Sequence, residues 1–392
     1  MRGAGAHARR RLITRQDLTG LSIGAIASPG GLTIARTSAA GVEYDGSATP
    51  FLVDVASANV GRVGKRASHI GMRLERGTDN RLKTIGAQDP RNPNTWQFYD
   101  GNCVRTAGQS DPNGTSLAYR LQEPSGATDY GPNARYTEST YTRLSASIWY
   151  RQGALGSTYQ INFQDNATPI SLVSGTAVDS VWRRGSTVFA SHALGTLVTI
   201  APCQAGDLSA FGGLTQGARD VYVDCAQIES GPVSTFTPQT RAPENVSIPD
   251  ATAWIASDGH FDFGCTWAPD ISYADMVAYG LANPRLWTYD ALNYCEINLV
   301  SQRLRVCIDG KLTALPNQIA AWNADDLIQF SPIRFGNGAP SGTVTINGAV
   351  TDLGAGDSLG PIVTVPGVGL DVFCSGMTQQ LQGLICGYEV WQ

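Results

Sequence analysis

Four histidines, His7, His69, His192 and His260, are all that the 392-residue sequence offers as near-neutral acid–base groups. No two of them stand at the i, i+2 or i, i+4 spacing that brings both rings to one metal ion. A Ser-His-Asp triad assembles only in the fold, and nothing in the sequence favours one. Three acids, Asp258, Asp262 and Asp270, lie close to Trp267, where a pair of carboxylates could flank a glycosidic bond. The glycines and proline around them fit turn acids better. Asp220 and Asp224 stand four apart in Asp220-Val221-Tyr222-Val223-Asp224, so a strand places both on one face. They are the candidate ligands for a structural calcium. Calcium takes roughly six to eight oxygens, so a solvated strand face is the plainer reading.

Aromatic rings are the other candidate chemistry. A pyranose packs its apolar face on a flat ring while its hydroxyls need polar partners alongside. Of the tryptophans, Trp149 and Trp182 fall in well-alternating patterns and read as core. Trp96 with Tyr99, Trp287 with Tyr289, and Trp322 fall in less patterned stretches and are the candidate ligand-binding residues. Each has a core or subunit-contact reading beside it.

Strands must position these groups. The chain is 42% hydrophobic and only 16% charged, against roughly 25% charged in an average globular protein. Its 44 glycines and 20 prolines suit many short strands joined by tight turns. The expectation is an all-β chain with two antiparallel β-sandwich domains preceded by an extended N-terminal segment. A net charge of −5 argues against nucleic acid as a general partner. The exception is a basic arm over 1–31, in which Arg2, Arg9, Arg10, Arg11 and Arg15 precede the first acid, Asp17. That arm reads as a frayed terminus, or as a segment that docks on an acidic neighbour or on packaged nucleic acid. No apolar stretch of signal length follows it, and no run approaches the ~20 apolar residues of a membrane span. Export through a cleavable signal and a membrane partner are both unexpected.

Residues 32–82 read as an extended anchor segment, laid against the domains and able to lend a strand to one. Residues 83–238 form the first sandwich, with Leu144, Ala146, Ile148 and Tyr150 alternating on one face. The polar, proline-bearing stretch 239–246 is the linker, and 247–392 the second sandwich. A short helix is expected over Asn317–Asp325, after Pro316. The eight cysteines include no Cys-x-x-Cys pair and read mostly as buried thiols. A two-residue turn at Ser301-Gln302 would pair Leu299 with Leu304, Ile297 with Val306 and Cys295 with Ile308.

Three segments carry a resemblance. The first is Thr33-Ile34-Ala35-Arg36-Thr37-Ser38, then Val60-Gly61-Arg62, then Gly71-Met72-Arg73-Leu74-Glu75 through Thr78-Asp79-Asn80-Arg81-Leu82. The second is Ala226-Gln227-Ile228-Glu229-Ser230-Gly231, and the third is Ser234-Thr235-Phe236-Thr237-Pro238 with Thr240-Arg241-Ala242-Pro243. In order and spacing they resemble the lead-in module, "A-Q-L-E-x-G" strand and connector of phage and prophage structural proteins. The family's "T-N-L" reads Asp79-Asn80-Arg81-Leu82 here. The resemblance implies a virion-associated tail fibre, baseplate or capsid appendage. Its middle domain would be a jelly roll similar to carbohydrate-binding modules. The last domain is similar to concanavalin A-like or laminin-G-like sandwiches, by Phe261–Trp267 near its start and Leu384–Trp391 at its end.

The resemblance further implies a homotrimer that meets other virion proteins through its N-terminal segment and a host surface glycan through its loops, located on the phage particle. A non-enzyme is expected, with no cofactor beyond a structural calcium. The alternative is a free carbohydrate-binding protein or a glycan hydrolase. Retaining hydrolases of the concanavalin-like fold carry an E-x-D-x-x-E strand, and no such string occurs here.

Overall fold

The computed structural model describes residues 11–19, 24–26, 32–35, 40–42, 52–56, 61–66, 68–75, 78–84, 88–96, 103–112, 115–123, 132–153, 159–166, 168–175, 181–202, 219–234, 240–241, 244–374 and 381–392. In chain order, the strands that build the sites and their cores are β1 (Leu12–Asp17), β2 (Gly61–Arg66), β3 (His69–Leu74), β4 (Ala118–Glu123), β5 (Leu144–Gln152), β6 (Arg183–Phe189), β7 (Arg219–Ser230), β8 (Phe261–Pro269), β9 (Tyr294–Asn298), β10 (Arg303–Ile308), β11 (Ile328–Phe335) and β12 (Gly383–Trp391). The fold is all-β, and every described strand pairing is antiparallel.

The chain divides into two compact units: residues 1–37, 56–76 and 243–392 in unit one, and 38–55 and 77–242 in unit two. Unit one is a sandwich of a nine-stranded and a seven-stranded sheet. In the larger, β2, β3, β12, β8 and β11 follow one another, and β1 also pairs with β12. The smaller holds β9 and β10 and ends on Thr33–Ala35, which pairs with Asn245–Ile248. Alternation drives this arrangement. Phe261, Phe263, Cys265 and Trp267 of β8 turn one face inward, where Trp287, Ile297, Leu304 and Phe330 meet them. Each fully buried phenylalanine contributes roughly 1.5–3 kcal/mol by leaving water.

Unit two packs a five-stranded sheet, with neighbours β6, β5, β7 and β4, over a four-stranded one. Leu144, Ala146, Ile148 and Tyr150 of β5 and Val221, Val223 and Ile228 of β7 fill its core. The alternation read from the sequence of β5 is therefore the inward face of a real strand.

The anchor segment and the basic arm do not stand apart from the sandwiches. Residues 12–17 of the arm form β1, within the larger sheet of unit one, and the anchor supplies β2, β3 and Thr33–Ala35 to that unit. The reason is backbone pairing: β12 has an edge that β1 and β3 satisfy end to end. Residues 1–10 lie outside the described residues. Nor is 239–246 a free linker. Thr240–Arg241 pairs with Thr78–Asp79, and the Glu244 side chain is buried.

Two local expectations change. Residues 317–325 are not a helix; Ile319 and Trp322 are instead drawn into the core of unit one, and the Asn317 amide donates to the Asp352 carbonyl. Among the described residues the α-helix of this unit is Tyr273–Ala278, capped by Ser272. The β9–β10 hairpin pairs Cys295 with Val306 and Ile297 with Leu304, two residues from the expected register. Its turn spans 299–302, with Asn298 Oδ1 accepting from the Ser301 N–H and hydroxyl and Gln302 at φ +54°. A slip of two keeps every side chain on its face, so Cys295 still points inward.

Candidate functional site

The site follows from how β12 finds its partners. Along one edge it pairs with β8 throughout. Along the other, Gly387–Trp391 pairs with β1 and Gly383–Ile385 with β3. The two partner strands thus meet end to end at Cys386, which bulges opposite Thr266 and Trp267. The Leu18 N–H closes the junction by donating to the Cys386 carbonyl at 2.9 Å. At Gly71 in β3 the strands come so close that a Cβ would lie 2.5 Å from the Ile385 oxygen.

An open depression of about 540 Å³ lies at this junction. Arg15, Gln16, Asp17 and Thr19 line one side, with Ser68, His69 and Ile70 from the start of β3. Thr266, Leu327 and Gln329 line the other, and Gly387 and Glu389 of β12 run between. Its charged groups are already engaged. The Arg15 guanidinium donates to Glu389 Oε2 from Nε at 3.0 Å and from Nη2 at 2.5 Å. Asp17 Oδ1 accepts from the Thr19 hydroxyl at 2.6 Å and the Thr19 N–H at 2.9 Å, and these bonds hold its carboxyl below the usual range. His69 Nε2 lies 3.1 Å from the Asp325 carbonyl, which only accepts, so that nitrogen carries the proton. Among the described residues, the Thr266 hydroxyl and the Gln329 amide form no side-chain hydrogen bond, which leaves them for solvent or a ligand.

Of the residues singled out in the sequence, His69, Arg15 and Asp17 line this depression, whereas none of the candidate ligand-binding aromatics or calcium ligands does. Trp287 is fully buried, edge-on to Phe261 and Phe335 at 5.3 and 5.1 Å between centroids. Trp322 is buried against Trp267 and Tyr273. Trp96 is buried in unit two, its indole N–H donating to the Asp89 carbonyl at 2.8 Å. These three rings are core, not ligand platforms, because each has a whole face of apolar neighbours. Tyr289 is half-buried, and its hydroxyl accepts from the Val365 N–H at 2.7 Å. Tyr99 lies outside the described residues. Trp149 belongs to a small cluster with Cys225 and the half-buried Trp182, separate from the main core of unit two.

Asp220 and Asp224 share a face of β7, but arginines take both. Arg120 Nε donates to Asp220 Oδ1 at 2.8 Å and its Nη2 to the other oxygen. Gly153 makes room for this, since a Cβ there would stand 1.9 Å from Asp220 Oδ1. Arg91 forks onto Asp224 at 2.8 and 2.6 Å and also reaches Asp111 at 2.9 Å. Burial pushes the Asp224 carboxyl up, and Arg91 opposes it. Among the described residues no cluster of three or more His, Cys, Asp or Glu side chains is arranged to hold a metal ion.

Of the other acids, Asp258 lies in a turn and Asp270 in a bend, as read from the sequence, and Asp262 departs from that reading. Asp262 is buried within β8, and Asp270 accepts from Arg73 at 2.9 Å. The sequence also contains two Gly-x-Ser-x-Gly strings, Gly20–Gly24 and Gly356–Gly360. A nucleophile elbow leads from a strand into a helix. Here the strand Gly24–Ile26 follows the first string, of which residues 20–23 are outside the described part, and an isolated bridge at Leu359 interrupts the second.

No family model matches the sequence, and no curated protein matches it. Among solved structures, the chain is similar to domain 4 of AbnA, a GH43 extracellular arabinanase from Geobacillus stearothermophilus, in complex with arabinotriose. That likeness has 12% identity and a TM-score of 0.28, and covers 38% of this chain and 67% of the other. The chain is also similar to domains LG4-5 of the mouse laminin alpha1 chain, at 10% identity and a TM-score of 0.21, covering 73% of this chain and 88% of that one. At such scores these likenesses carry no argument about ligand or activity.

Proposed function

We propose that the chain is a non-catalytic attachment protein whose unit one holds a neutral saccharide in the depression beside β12. The observation that supports this most is the lining itself. An open cavity of about 540 Å³ presents uncommitted hydroxyl and amide groups over a glycine-bearing floor, the equipment that sugar hydroxyls need. Its two carboxylates are poorly suited to cleavage. A glycosidase acid must hold a proton near neutral pH, which takes a raised pKa. Asp17 is shifted the opposite way, and Glu389 is held by the Arg15 fork.

The particle on which such a protein would act is inferred from the three sequence segments alone: a phage tail fibre, baseplate or capsid appendage, assembled as a homotrimer and meeting a host surface glycan. A glycan array probed with the full chain tests the binding. Retention of neutral oligosaccharides, lost in Gln329→Ala and Thr266→Val chains with unchanged thermal midpoints, is the expected result. An array without hits, or hits indifferent to both substitutions, overturns it. Light scattering of the purified chain tests the assembly, with three times the 41.6 kDa chain mass expected. A monomer contradicts the fibre reading.

A further inference from the structure

The outer face of the five-stranded sheet in unit two carries chemistry that the depression does not use. Strand register sets Arg151 of β5 beside Tyr222 of β7, and Tyr222 beside Arg120 of β4, in one cross-strand row. The Arg151 Cζ lies 4.0 Å from the Tyr222 ring centroid and 5.5 Å from that of Trp182, while the Arg120 Cζ is 5.6 Å from Tyr222. All four side chains are half-buried.

The two arginines differ in one respect. Asp220 neutralises Arg120 through the fork already described. Arg151 has no hydrogen bond or ion pair among the described residues, and its Nε is shut off from water without an acceptor. With Asp220 held by Arg120, and Asp224 and Asp111 by Arg91, Arg151 is the guanidinium of this group that lacks a carboxylate partner among the described residues. Stacking uses the flat faces of a guanidinium and offsets part of the cost of drawing it out of water. It leaves the terminal Nη1 and Nη2 donors without a hydrogen-bond partner among the described residues, in a fork whose spacing matches two oxygens of a carboxylate or sulfate. The rings on either side hold that fork in one orientation, so little rotamer freedom remains to be lost on binding.

We propose that this row is a binding site for an acidic saccharide, with Arg151 taking its carboxylate or sulfate group. The site is independent of the depression in unit one and requires an anion where the depression requires none. Calorimetric titration of the full chain with an oligogalacturonate, its neutral methyl ester and a sulfated galactose oligomer tests it. At least one of the two acidic ligands should bind, and which one does identifies the anion; the methyl ester should not.

Arg151→Gln should weaken that binding by roughly tenfold or more, the scale of a lost charged fork. Arg151→Lys should recover little of it, because an ammonium keeps the charge without the planar fork. Gln329→Ala, in the depression, should leave it intact, which separates this site from the first. Failure of both acidic ligands, equal binding of the ester, or unchanged binding in folded Arg151→Gln and Arg151→Lys chains overturns the proposal.

Discussion

Arg62 is fully enclosed, with Glu244 on its Nε and Nη2 at 3.0 and 2.7 Å and Glu75 on its Nη1 at 2.8 Å. The Glu75 N–H adds a bond to Glu244 at 3.1 Å. Removing the cation takes the guanidinium away from two buried carboxylates, of which Glu75 keeps Arg73 at 3.2 Å, so Arg62→Met should destabilise unit one by about 3–5 kcal/mol. Urea unfolding measures this, and neutralising both glutamates as well should recover part of the loss. Arg62, Glu75 and the segment before Glu244 are among the residues that carry the sequence resemblance. Their chemistry was visible as spaced charges, but their meeting was not, because 182 positions separate Arg62 from Glu244.

Thr78 and Asn80 show the same relation, donating to Glu229 and to the Ala226 carbonyl at 2.8 and 3.0 Å within unit two. The cysteines were legible as buried thiols, and the seven described are buried. Burial lifts the thiols of Cys265, Cys295 and Cys374 well above the ordinary value near 9, and pushes Cys386 up to about 12. Above pH 9 the unfolded chain loses these protons while the folded chain keeps them. Stability should therefore fall as pH rises from about 9 towards 12, by up to about 1.4 kcal/mol per unit for each thiol. Urea midpoints at pH 8 and pH 10 check the sign, and equal midpoints would contradict it.

Strand pairing decides most of what remains. β3 packs on β12 so closely at Gly71 that any side chain meets backbone, which cannot swing aside as a flexible side chain can. Gly71→Ala should cost about 1–3 kcal/mol and lower the thermal midpoint. An unchanged midpoint would mean that the two strands are not so closely joined. Alternation made strands such as β5, β8 and β10 readable, because each turns one face to a core. Where one element borrows its surroundings from another, the signal failed. Residues 317–325 have helix-compatible composition, but Ile319 and Trp322 gain more from the core than a solvated helix would give them. Trp96, Trp287 and Trp322 looked unpatterned because their neighbours come from distant strands.

At the scale of the whole chain, both units are antiparallel sandwiches, and unit one is assembled from three separate stretches of sequence. That discontinuity is why the candidate depression could not be read in advance. Arg15, His69, Gln329 and Glu389 come from four parts of the chain and have nothing in common locally. The Arg151 row was hidden for a related reason, since tyrosine and arginine alternating on a strand look like an ordinary polar face.

The central claim, that the depression beside β12 is where a saccharide sits, is tested most directly by hydrogen–deuterium exchange of the full chain with and without a neutral oligosaccharide retained on the array. Slower exchange is predicted in peptides spanning 15–19, 264–266, 327–329 and 386–389, with unit two unchanged. Protection confined to unit two, or spread without regard to these peptides, would place the ligand elsewhere and contradict the account.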